Sequence, residues 1–158
     1  MKRAICVLAF GLMFVLGSNA VQAATPTPIA GGVSGIELCP QFICGFAAFT
    51  GIFHGKIGNN PNAIGVASIV LNHTALPTLD NPAPASIYQG LFKLQTLSGT
   101  ISAGVVQGSI TLDPKDADGK LFDVHIMLMT SDFKIILFDG KLDHHPLIPT
   151  VAGTLTSF

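Results

Sequence analysis

Asp123 and His125 lie two residues apart in the run Leu121-Phe122-Asp123-Val124-His125. Residues at i and i+2 of a strand share a face, so a carboxylate stands beside an imidazole and would orient it as a general base. A hydrolase or isomerase using this pair in a barrel mouth is therefore one reading. Against it, the sequence carries no nucleophile elbow and no catalytic-cysteine context. A polar pair on the wet face of a sheet uses the same residue types and needs no active site.

Asp113, Asp116 and Asp118 fall within seven residues that end in Gly119. Three hard oxygen donors suit calcium, but an EF-hand loop is closed by Glu, and the only Glu of the chain is the distant Glu37. The default for Asp-rich sequence ending in Asp118-Gly119 is a hairpin turn, in which Asp braces the backbone and Gly takes a positive φ. His144-His145, followed by Pro146, reads first as a polar turn. A two-His metal site with Asp143 or His54 lacks the usual ligand spacing. The expectation is no metal and no cofactor.

Cys39 and Cys44 flank Pro40-Gln41-Phe42-Ile43. Redox and zinc pairs favour two intervening residues, so a disulfide is the stronger reading, contributing about 2 kcal/mol in the chain-entropy model.

These residues must be positioned by a chain of 158 residues, 49% hydrophobic and 11% charged. Lys2 and Arg3 precede an uncharged run from Ala4 to Leu16, and Val21-Gln22-Ala23 offers a peptidase site, so residues 1–23 read as a cleaved export signal. The apolar run is too short to span a bilayer, and no integral membrane span is expected once it is removed. The remaining 135 residues hold six Lys, no Arg and nine acids. That balance excludes nucleic acid as a partner, and the missing Arg disfavours an anionic substrate. An exported bacterial protein, periplasmic or secreted, also suits an oxidised cysteine pair.

Short β-rich runs alternate with turn clusters, and helical periodicity is lacking. The expected fold is all-β: one antiparallel domain of about eight strands, a small barrel or sandwich, spanning 33–158 behind an extended leader at 24–32. A Pro-rich loop at 74–86 divides it, and its C-terminal third is a meander. The strands are placed at Val33–Leu38, Phe42–Ile57, Ala63–Asn72, Ile87–Leu97, Gly99–Leu112, Lys120–Met129, Phe133–Leu142 and Thr150–Ser157, with a turn near Ala103-Gly104 in the fifth. Recurrent strand glycines point to strongly bent strands.

Val106, Gly108, Ile110 and Leu112 are expected on a buried face opposite Gln107, Ser109 and Thr111. Other strands are apolar on both faces and need cover on both sides. Phe46, Phe49, Phe53, Ile136 and Phe138 are the candidate residues for binding an apolar ligand. The leading expectation is a non-enzymatic exported protein that binds a small apolar ligand or self-associates through apolar strand faces. A surface or fibre subunit, joined through the leader and an open sheet edge, is a further alternative.

Overall fold

The computed structural model describes residues 28–158. The export signal at 1–23 and the first part of the leader, 24–27, lie outside the described residues. Eight antiparallel strands close into a barrel in simple chain order: β1 (Ile29–Cys39), β2 (Ala47–Ile57), β3 (Asn60–His73), β4 (Ala85–Thr96), β5 (Gly99–Leu112), β6 (Leu121–Thr130), β7 (Ile135–Asp143) and β8 (Thr150–Ser157). Closure comes from β1 pairing with β8, from Ala30 opposite Thr156 to Ile36 opposite Thr150. The meander expected of the last third extends through the whole domain.

Period-two patterning sets the wall. In β6, Phe122, Val124, Ile126 and Leu128 are buried, while Asp123, His125 and Met127 alternate with them outward. An eight-stranded barrel is just wide enough for side chains to fill it, and here Phe53, Leu94, Leu128, Ile136 and Leu155 do so with almost no exposure. Inward glycines make room for the aromatic rings. Gly31 faces Gly55 across β1 and β2, and the Phe53 ring lies over both. Gly140 and Gly153 make the same seat for Phe138.

The outer wall carries Lys93, Gln95, Asp123, His125, Asp139 and Lys141 around an apolar interior. The apolar interior differs from the polar lumen of a transmembrane barrel, while the outer wall also carries exposed Ile52, Ile64, Val66, Val70 and Leu91 on β2–β4. No helix among the described residues is long and apolar enough to cross a membrane.

Several sequence expectations are corrected. The strand expected at Phe42–Ile57 is interrupted by a single helical turn, α1 (Gln41–Cys44), ended by Gly45 at φ 75°. The domain starts at Ile29 rather than Val33, because the end of the leader pairs with β2 and β8. β5 runs straight through Ala103-Gly104 without a turn. A bulge between Val105 and Gln107 reverses the phase, so Val105 packs inward and Val106 is exposed. Closure also removes the free sheet edge that the fibre reading needed.

Candidate functional site

The two ends of the barrel differ. Short turns join β2 to β3, β4 to β5 and β6 to β7 at one end. The other end carries four longer connections: 40–46, 74–84, 113–120 and 144–149. A rigid barrel with its loops gathered at one mouth is where a binding function is expected.

Each loop is fastened by local chemistry. Cys39 and Cys44 stand at disulfide distance, with Cα atoms 6.1 Å apart. Between them, Gln41 reaches across to the end of β3: its Nε2 donates to the His73 carbonyl at 2.7 Å and its Oε1 accepts from the His73 N–H at 2.9 Å. Thr74 and Ser86 close the base of the Pro-rich loop through two hydrogen bonds of 2.9 Å. Within that loop, Leu76 packs back onto the core and Pro77 is buried. The 144–149 loop is held by the Glu37 N–H donating to the Pro149 carbonyl at 2.9 Å.

Beneath these loops lies an internal cavity of about 60 Å³. Its walls are mostly aliphatic and aromatic, including Phe49, Leu71, Phe92, Ile110 and Phe138, with Leu76 contributed by the loop. Two titratable side chains also line it: Glu37 and His73. His73 Nδ1 sits 2.6 Å from the Thr74 carbonyl. A carbonyl only accepts, so Nδ1 is the donor and only Nε2 is left to meet anything else.

Glu37 is the group that sequence reasoning missed. On β1, Val33 and Gly35 share its inward phase, while Ser34, Ile36 and Leu38 face out. Its side chain is 4% exposed, and it is the only carboxylate on the inward phase of the described strands. Oε2 is buried without a hydrogen-bond partner, as is Nε2 of His144, which lies 3.3 Å away. His144 is seated by its N–H donating to the Lys120 carbonyl and by an edge-on contact with Phe122. The signal available in sequence was the phase of Glu37 relative to Val33, which becomes legible once the inward face of β1 is known.

The rim holds the remaining charge. Lys141 Nζ bridges Asp113 Oδ2 and Asp123 Oδ1, each at 2.5 Å. These bonds push the lysine up and, together with the Lys115 N–H, hold Asp113 below its ordinary value. Asp116 feels burial, which raises it, but the N–H groups of Leu121, Lys120 and Asp118 outweigh that and lower it. His145 Nδ1 bonds Asp143 Oδ1 at 2.7 Å, raising the imidazole, and the His145 N–H and ring together lower Asp143. The facing Nε2 is 3.4 Å from Asp116 and 3.6 Å from Asp118. One nitrogen and two carboxylates, mutually within 4.8 Å, are a donor set that suits a divalent cation. Asp116 already accepts three backbone N–H groups, however, so closure of the loop accounts for its position.

Other expected groupings come apart. Asp123 and His125 do share a face, but it is the outer wall: Asp123 bonds Lys141, and His125 Nδ1 bonds Asp139 at 2.6 Å. Neither lines the cavity, so the acid–base pair is replaced by two separate surface pairs. Asp113 is drawn to Lys141 and away from Asp116 and Asp118. His54 points outward near the turn end of β2, whereas His145 sits in the loop at the opposite end of the barrel. Of the apolar candidates, Phe49 and Phe138 line the cavity, and Phe53 is locked over its glycines. Ile136 lines a separate depression of about 550 Å³ at the turn end, which is open and rich in turn hydroxyls. Phe46 is 41% exposed ahead of β2 and belongs to neither.

The fold and its interior thus define a closed eight-stranded up-and-down barrel with an apolar cavity at its loop end. No protein-family model, no curated protein and no solved structure matches the chain.

Proposed function

We propose that the chain is an exported, non-enzymatic binding protein whose barrel takes up a small, mainly apolar molecule under the 74–84 loop. The observation that carries this reading is the apolar cavity at the loop end, covered by Leu76 from a loop with little strand pairing of its own. An apolar cavity of about 150 Å³ holds benzene. By that scale the closed form admits only two or three heavy atoms, and a larger guest enters by displacing Leu76. Export is supported by the cysteine pair at disulfide distance, which suits an oxidising compartment.

Xenon tests the cavity without any polar contribution. Under xenon pressure, methyl signals of Leu71, Ile110 and Leu76 are expected to shift saturably, while those of surface Leu97 stay put. Native mass spectrometry before and after solvent extraction then asks whether the protein arrives loaded. No saturable shift together with no extractable mass refutes the reading.

A second reading, association of identical chains, rests on a different observation. Ile52 opposes Val66 and Val70 opposes Leu91 on the outside of β2–β4, all exposed, with Ile64 beside them. This wall bears Lys56 and Lys93 and no acid, whereas β6–β7 presents Asp123, Asp139 and Asp143 against the single Lys141, so the two faces carry opposite net charge. Sedimentation of the wild type against Val66→Lys tests it: an oligomer that dissociates in the variant supports association, and a monomeric wild type at high concentration refutes it.

A further inference from the structure

Burying a carboxylate in an apolar barrel is unfavourable unless its oxygens find donors. Glu37 is such a group. Its side chain is almost wholly buried, it lines the cavity, and its Oε2 has no hydrogen-bond partner among the described residues. His144 Nε2 faces that oxygen at 3.3 Å, an ion-pair contact that falls short of hydrogen-bond geometry, while the Glu37 side chain itself lines the cavity. His73, two strands away at the end of β3, also lines the cavity, and with its Nδ1 committed to Thr74 only its Nε2 is free to bond.

From this we infer that the cavity recognises a polar head on its apolar guest, and that the head is a hydrogen-bond donor, with an alkyl ammonium best and an alcohol next. Glu37 contributes only acceptors when ionised, and a neutral His73 contributes an acceptor through Nε2. A carboxylate guest would bring like charge to Glu37 in a site with little water to screen it. The body of the guest lies among Phe49, Leu71, Phe92 and Ile110. The inference rests on the binding reading above and adds the chemistry of the head group.

The test is a series of equal chain length: n-butylamine, n-butanol and butanoate, with xenon as the probe without a head. Each is titrated into the purified protein and followed by chemical shifts of the cavity methyls. Butylamine is expected to bind at least tenfold more tightly than butanoate, with butanol between them. In Glu37→Gln the amine preference is expected to fall to within about twofold of butanol, with xenon binding unchanged. Butanoate binding as well as butylamine overturns the head-group assignment, and xenon binding in the same protein leaves the apolar cavity reading intact. If none of the four probes binds, xenon included, the cavity reading fails and the assignment fails with it. The wild-type series decides the question even where Glu37→Gln does not fold.

Discussion

Gly32 and Gly35 are three residues apart in one strand, and substituting each by Ala is expected to have opposite effects. A Cβ on Gly35 would stand 2.0 Å from the Thr50 carbonyl oxygen and 2.5 Å from Gly51 Cα. Relaxed carbon–oxygen contacts between strands are about 3.3–3.6 Å, so β1 and β2 must part by more than 1 Å. That stretches neighbouring ladder bonds past useful length, losing about 1 kcal/mol each, on top of about 1–3 kcal/mol for overpacking. The expected loss for Gly35→Ala is about 3–5 kcal/mol by these terms. A Cβ on Gly32 points outward and finds its nearest atom, the Gly153 carbonyl oxygen, at 3.8 Å, an ordinary contact. There the smaller unfolded-state entropy dominates, and a gain of about 0.4–1 kcal/mol is expected. For a domain of this size 1 kcal/mol corresponds to about 4 °C, so Tm is expected to fall by about 12–20 °C in one variant and rise by about 2–4 °C in the other. Thermal melts and urea titrations with matched m-values read both. Equal destabilisation by the two changes would refute the inward phase of β1, and with it the placement of Glu37, which shares that phase two residues further on.

Three further outcomes are expected. Replacing Cys39 and Cys44 by Ser should lower stability by about 2 kcal/mol, read as a Tm drop of about 8 °C relative to the oxidised protein, and an unchanged melt would show that the bridge constrains nothing. Phe53→Ala should cost about 3–5 kcal/mol because the ring is fully buried over its glycines, while Phe46→Ala should change stability by less than about 0.5 kcal/mol; equivalence of the two would contradict the packing. His145, raised by Asp143 and faced by Asp116 and Asp118, stabilises the loops fully below its ordinary 6.5 and loses this as pH rises through the raised value. Asp143 and Asp116 are lowered, so their contributions are complete above their ordinary 3.8 and vanish as pH falls through the lowered values. Exchange protection at the Lys120, Leu121 and His145 amides, corrected for intrinsic rates, should therefore peak between those two ordinary values, and a flat profile would refute the coupling.

Much of the wall was legible in sequence because it depends on alternation. Val124, Ile126 and Leu128 identify their own face without reference to any other strand, and Asp118-Gly119 identifies its own turn. The phase of β5 was misread at Val106 because a bulge adds one residue against the partner strand, and alternation within β5 alone does not contain that information. Phe42 and Ile43 resembled strand residues by composition, but the Cys39–Cys44 constraint and the positive φ of Gly45 favour one helical turn there.

The site was less legible, since every interaction in it is long-range. Asp123 and His125 were correctly placed on one face, yet which face points inward, and which partner each takes, is set by β7, where Asp139 and Lys141 arrive. Sequence alone determined an all-β chain with short-range turns, a cysteine pair suited to bridging, and more apolar strand surface than one open sheet covers. Tertiary structure decided that the surplus closes on itself as a barrel. It also decided that Glu37, unremarkable in a run of small and aliphatic residues, faces the cavity with His144 above it. The physical reason is that period-two order is encoded residue by residue, whereas closure brings β1 beside β8 and sets a carboxylate against groups more than a hundred residues away.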